Sequence, residues 1–154
     1  MFAFGGLAAA TVAAFFVVQH LKVTTPLIAG FPTPTPAVID PLDGGVCDGV
    51  DHRVTRMSFY VLHRSDDVDV YVIDGSGTIV RTLASGRHML RGVPVTFAWN
   101  GRTDGGTVAR DGIYYVKVAL IHQGRTIVVS NVTGPEPIRV TTTPPRPQVV
   151  SVSP

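Results

Sequence analysis

Residues 95–120 read VTFAWNGRTDGGTVARDGIYYVKVAL, and this stretch decides the fold. It holds the only tryptophan and two of the four tyrosines. Val95, Phe97 and Trp99 alternate with Thr96 and Ala98. That is the period-2 pattern of a half-buried strand, with the three large residues on one face. Asn100 and Gly101 stop the run, because both residue types tolerate positive φ. Asp104, Gly105 and Gly106 form a second turn signal, and Asp111 and Gly112 a third. Alternation resumes at Ile113, with Tyr114, Val116, Val118 and Leu120 as an inner row and Tyr115 and Lys117 pointing away. The aromatic anchors on both runs predict that this pair forms the centre of a β core.

The same alternation extends outward in both directions. Met57, Phe59 and Val61 share a face in a strand over 54–62, and Val68, Val70 and Val72 share one over 68–73. Residues 74–77, DGSG, make a short hairpin turn into a partner strand over 78–83. Residues 84–92 read as a loop broken by Gly86 and Gly92, and 126–132 and 138–143 as two later strands. No helical period occurs after residue 22. Short, regularly spaced strands with glycine turns predict an all-β sandwich of the immunoglobulin or fibronectin-III kind. Its expected core is Phe59, Val70, Val72, Phe97, Trp99, Tyr114, Val116 and Val118.

Two blocks in order carry a family resemblance. The first is Val70-x-Val72-x-Asp74-x-x-Gly77-x-Ile79, continuing to Leu83. The second is Phe97-x-Trp99-Asn100-Gly101-x-x-Asp104-x-Gly106, then Asp111-Gly112-x-Tyr114-x-Val116-x-Val118. Together they resemble the immunoglobulin-like domain of flagellar hook-capping proteins, over about residues 54–130. Asn100 stands where that family usually has Asp. The resemblance implies a β-sandwich module reused in secreted bacterial proteins. It brings no catalytic residues to transfer.

Length and composition allow one such domain plus tails in 154 residues. Net charge is only +2, and the arginines are scattered without a basic stripe or interleaved aromatics, which argues against nucleic-acid binding. Cys47 is the only cysteine, so neither an internal disulfide nor a cysteine zinc site forms. Residues 2–18 are uncharged and almost wholly apolar. As a helix they span roughly 25 Å, close to the hydrocarbon thickness of a bilayer. This segment over 1–22 is a signal-anchor helix or the hydrophobic part of a signal peptide. With no A-x-A site just after it, the uncleaved anchor is the expectation. Residues 23–39 are dense in Pro and Thr and read as an extended spacer. The sandwich is expected over 40–142. Residues 143–154 read as a Pro-rich linker, whose last eight residues resemble the opening of a further immunoglobulin-like domain.

Candidate chemistry is sparse. The five histidines, at 20, 52, 63, 88 and 122, do not pair at metal-ligand spacing and read as turn residues. Ser76 lacks the longer elbow pattern of a nucleophilic serine and sits where a hairpin must turn. Asp66, Asp67 and Asp69 read as a solvated strand edge that discourages pairing. Asn131, Val132 and Thr133 form a glycosylation sequon, silent in the bacterial context that the resemblance implies.

The acidic stretch 39–51, IDPLDGGVCDGVD, holds four of the eleven acidic residues. Two readings stand. One is a solvated entry loop leading into the first strand. The other is a calcium site with Asp40, Asp43 and Asp48 as ligands and Asp51 in reserve, since calcium takes six to eight oxygens from flexible Gly-containing loops. The stretch resembles the Pro-Asn-Gly-Asp-Gly-x-x-Asp loop of some secreted bacterial β-domains at Pro41, Gly45 and Asp48. It departs from that pattern at Leu42, Asp43 and Gly44.

The expected function is therefore that of a non-enzymatic structural or docking module of a bacterial cell-envelope protein. It would be held at the membrane by a single N-terminal helix with the domain extracytoplasmic, or secreted after signal cleavage. Two alternatives are an accessory domain of an exported hydrolase and a flagellar hook-assembly scaffold.

Overall fold

The computed structural model describes residues 26–47, 49–131, 134–135 and 137–142. The apolar segment 2–18 and the linker 143–154 lie outside the described residues. The strands in chain order begin with β1 (Ile28–Thr35), β2 (Val38–Ile39), β3 (Val46–Cys47), β4 (Val50–Asp51), β5 (Thr55–Val61) and β6 (Asp66–Asp74). They continue with β7 (Ile79–Met89), β8 (Val95–Trp99), β9 (Gly112–Leu120) and β10 (Arg125–Val128). Last come β11 (Ser130–Asn131), β12 (Gly134–Pro135) and β13 (Ile138–Val140). Among the described residues there is no helix long and apolar enough to cross a membrane.

Two sheets make the body. One has the order β1-β5-β8. The other runs β2-β13-β9-β6-β7, with β10 also paired to β9. All these pairings are antiparallel except that of β13 with β2. Strict alternation puts Met57, Phe59 and Val61 of β5 and Val68, Val70 and Val72 of β6 on the facing inner surfaces. Every residue of the expected core is buried there, joined by Met89, Leu120, Val129, Ile138 and Val140. Phe59 and Phe97 stack at 5.0 Å within the smaller sheet.

The two runs that decide the fold are not hydrogen-bonded to each other. β8 lies at the edge of the smaller sheet and β9 in the middle of the larger one. They meet across the sandwich, where Trp99 and Tyr114 form an edge-to-face pair at 5.1 Å and 62°. The connection of twelve residues, 100–111, makes this crossing between sheets, which a two-residue hairpin turn would forbid.

Three expectations need correction. The supposed spacer over 23–39 carries strands: β1 pairs with β5 from Ile28↔Val61 to Thr35↔Arg56, and β2 pairs with β13. Proline is compatible with this because β1 is an edge strand, and its register slips between Phe31 and Thr35, across Pro32 and Pro34. The supposed loop 84–92 is mostly strand, since β7 continues to Met89 with irregular register against β6. Finally, Asp66 and Asp67 belong to β6, a strand flanked on both sides by β9 and β7, and not to a solvated edge.

The Trp99 ring is 1% exposed and fills the space between the sheets. Trp99→Ala is expected to destabilise the full chain by about 3–5 kcal/mol in a denaturant titration. An unchanged midpoint would show that this cross-sheet contact does not carry the core.

Candidate functional site

Polar chemistry gathers at the two ends of the sandwich. At one end the connection 100–111 folds back on itself as a small hairpin. Thr103 N–H donates to Thr107 O, Ala109 N–H to Gly101 O, and the Trp99 indole N–H to Arg102 O at 2.8 Å. Tyr114 closes its far side, its hydroxyl donating to Arg110 O at 2.7 Å. A tyrosine near the start of this strand that bonds back to upstream backbone is a hallmark of immunoglobulin-like sandwiches. Burial pushes the Tyr114 phenol above its ordinary value.

Asp104 fastens this connection to the edge of β7. Its N–H donates to Val80 O, and its carboxylate accepts from Thr82 N–H at 2.9 Å and from the Thr82 hydroxyl at 3.0 Å. Arg81 adds a bond to Thr103 O and lies 3.7 Å from the carboxylate. The Thr82 N–H is the main reason that the Asp104 carboxyl stays below the ordinary range. The adjacent Asp74 turn is built the same way. The Ser76 hydroxyl, at 2.6 Å, and Thr78 N–H hold the Asp74 carboxyl low.

The acidic entry loop packs against this end. Gly101 has φ +68°, and a Cβ there would collide with the Pro41 ring. Only glycine suits that backbone and that contact. Gly44 is similarly pressed against Asp40 O and the His52 carbonyl. Asp40 Oδ1 accepts from Leu42 N–H and Asp43 N–H at 2.9 and 3.0 Å, an Asx turn. Asp51 is engaged by Arg53 through Nε at 3.0 Å and Nη2 at 3.2 Å, which lowers its carboxyl. Asp43 is exposed, and Asp48 lies outside the described residues. Among the described residues no three of His, Cys, Asp and Glu are placed to hold a metal. Cys47 is an exposed free thiol on β3.

At the opposite end, Asp66 is 1% exposed. Its Oδ1 accepts from His122 N–H at 2.9 Å and faces His122 Nδ1 at 3.0 Å. His88 Nδ1 stands 2.7 Å from Asp67 Oδ1. These two carboxylates hold the turn after β9 and the end of β7, where Arg64 also reaches His122 O. Sequence reasoning missed Asp66 because an acidic residue beside a second acid reads as solvated. Its place one period before Val68 was the available signal. Ser76 and His88 belong to opposite ends of the β6–β7 pair, separated by roughly 20 Å of strand.

Two packed sheets, a tyrosine tether and a long crossing connection define an immunoglobulin-like sandwich module. Residues 49–124 match the family model described as the FlgD Ig-like domain, and this part of the chain is a domain of that type. β1 and β2 before it and β10 and β13 after it complete the sheets from outside the matched stretch. No curated protein matches the chain. Among solved structures it is similar to dimeric latent PorU from Porphyromonas gingivalis, at 12% identity and a TM-score of 0.49. That match covers 78% of this chain and 10% of PorU, so the chain spans only a small part of that protein's length.

Burial pushes the Asp66 carboxyl up, but His122 N–H, the Gln123 side chain, the His122 ring and Asp67 N–H outweigh it, and the net shift is downward. Asp66 therefore contributes stability that is fully present above the ordinary carboxyl value of 3.8 and is lost as pH falls through its lower folded value. Asp66→Asn should flatten the acid limb of a melting-temperature profile, and an acid limb identical to the parent's would refute the assignment. Asp104→Ala should speed amide exchange over residues 101–109 and at Thr82 by about tenfold or more, with β5 and β6 unaffected. Unchanged exchange at Thr82 would mean that another group holds this edge.

Proposed function

We propose that this chain is an extracytoplasmic structural and interaction module of a bacterial cell-envelope protein, tethered to the membrane by its apolar N-terminal segment. One observation carries the reading. Asp66, Asp74, Asp104 and Asp111 spend their carboxylates on the domain's own backbone, each accepting main-chain N–H groups that hold a turn or a connection in place. Side chains committed in this way serve a rigid platform, a role that needs no general acid or base. The FlgD-type domain and the apolar segment 2–18 support the same reading. In it the domain lies outside the cytoplasmic membrane, has no hydrolytic activity and does not bind nucleic acid.

The loop 40–52, between β2 and β5, then acts as a brace inside the sandwich. Calcium held by Asp40, Asp43 and Asp48 is the more specific form of that brace. The Asx turn at Asp40 and the Arg53 pair at Asp51 favour the simpler form, a loop held by its own hydrogen bonds.

The full chain is expected in the membrane fraction after a high-salt wash, with the sandwich cleaved by protease added to intact spheroplasts. A protected sandwich would reverse the topology. Calorimetric titration of the full chain with millimolar calcium is expected to give no binding heat. Heat that Asp43→Ala abolishes would restore the metal site.

A further inference from the structure

We propose that the outer edge of β8 is a docking edge that accepts one extended strand of a partner protein, with an acidic residue beside Arg87 and a small amphipathic side chain in the cleft beside Ala98. The inference rests on the interaction-module reading and names its surface.

The edges of the two sheets are not treated alike. On β7, Val80 O and Thr82 N–H are taken by Asp104, and Gly86 N–H by the Asp69 carboxylate at 2.7 Å. β1 contains Pro32 and Pro34 and slips in register. β10 and β2 are only four and two residues long. Prolines, irregular register and short length are the usual devices that stop a sheet edge from recruiting another strand.

β8 is short, but it contains no proline and its register does not slip. Its five residues, Val95–Trp99, are β-branched, aromatic or small, and they pair with β5 without a register shift. In an antiparallel pair, alternate residues turn their N–H and C=O groups away from the neighbour. Among the described residues no hydrogen bond reaches those groups on the outer side of β8. An extended backbone is the ligand that fills such a row, and side-chain pockets beside the row give it specificity.

Two features select the side chains of that strand. A cleft of about 290 Å³ opens between β8 and β7, lined by Val54, Leu83, Ala98 and Trp99 together with the polar Arg81, Thr82 and Asn100. It suits one small side chain with an apolar body and a polar tip, such as threonine. Farther along, the Arg87 guanidinium lies over the Phe97 ring, 5.6 Å from its centroid. Arg87 is exposed and has no ion pair among the described residues, so a carboxylate on the incoming strand meets an uncompensated positive charge. The same charge argues against a second copy of this chain. A two-fold pairing of β8 with β8 about Phe97 brings the two Arg87 side chains together, and β8 itself has no acidic residue to offset them.

The test uses the full chain in detergent and a fluorescently labelled, acetylated and amidated peptide of sequence Thr-Val-Thr-Val-Glu-Val-Thr. Saturable binding is expected, with slowed hydrogen exchange at residues 95–99. N-methylation of alternate peptide residues should abolish it. Replacing the peptide Glu by Gln, or making Arg87→Gln, should each weaken it about fivefold, the effect of one exposed charge pair. Several results would overturn the proposal: no protection at 95–99, protection only elsewhere, or equal binding of the N-methylated peptide. So would protection of 95–99 without peptide together with a sedimenting dimer, which would assign the edge to a second copy. If the sandwich proves cytoplasmic or turns over a substrate, the module reading itself fails whatever the peptide does. An extracytoplasmic, inert chain that ignores the peptide removes only the docking edge and leaves a spacer.

Discussion

Trp99 is the point at which both sheets and the long connection are fastened together. Its ring leaves the edge of the smaller sheet and meets Tyr114 of the larger sheet at 5.1 Å. A buried indole N–H must find an acceptor. Here it takes Arg102 O, three residues on, and that bond turns the chain back over the ring. Once the turn is made, Ala109 N–H reaches Gly101 O and Tyr114 reaches Arg110 O, so both ends of the connection are held. Gly101 then presents a bare backbone on which Pro41 of the entry loop rests. One aromatic residue thus positions the core, the crossing between sheets and the seat of the loop 40–52.

Around that point the domain is stiffened by carboxylates and not by covalent links. Its single cysteine is exposed on β3 and pairs with nothing internal. Asp66, Asp69, Asp74, Asp104 and Asp111 each accept backbone N–H groups across a turn or between separate segments. A carboxylate acceptor makes a stronger bond than a neutral one. It also accepts from several donors at once, as Asp74 does from Ser76 and Thr78 and Asp104 from both groups of Thr82. The lowered carboxyls of Asp66, Asp74 and Asp104 are the electrostatic signature of this arrangement. At Asp74 and Asp104 they arise where the carboxylate caps a turn or pins a connection.

The core was legible because burial imposes alternation. Met57, Phe59 and Val61, Val68, Val70 and Val72, and Tyr114, Val116 and Val118 all carry the period of two and all are buried. What stayed hidden depends on partners that no local pattern encodes. β1 has the composition of a spacer and becomes a strand only because β5 offers it an edge. The second half of β7, Ser85 to His88, is solvent-facing, so it lacks an apolar period although it is hydrogen-bonded to β6. Asp66 is buried by a turn 56 residues away in sequence. The sheet assignment of β8 and β9 turned on how residues 100–111 fold, which rests on the indole bond and the Asp104 pin. The resemblance contained both residues, but only the geometry supplies the reason for them. Of the candidate ligands, Asp40 and Asp51 prove to have structural partners at hand, a feature that acidic spacing alone does not reveal.

The sandwich also shows how one connection can close one edge and leave another open. Residues 100–111 depart from the end of β8 and lean on β7, so that Asp104 satisfies the edge of the larger sheet. The same path carries the chain away from β8, whose outer backbone row then has no cover among the described residues. Folding alone does not require this outcome. A connection lying along β8 would have left β7 exposed instead, and β7 is the longer strand at eleven residues against five. Sealing the long edge and sparing the short, regular one limits unspecific pairing while keeping a row of backbone donors and acceptors. Arg87 over Phe97 and the cleft beside Trp99 then give that row a charge and a pocket, which separates a selective edge from a merely sticky one.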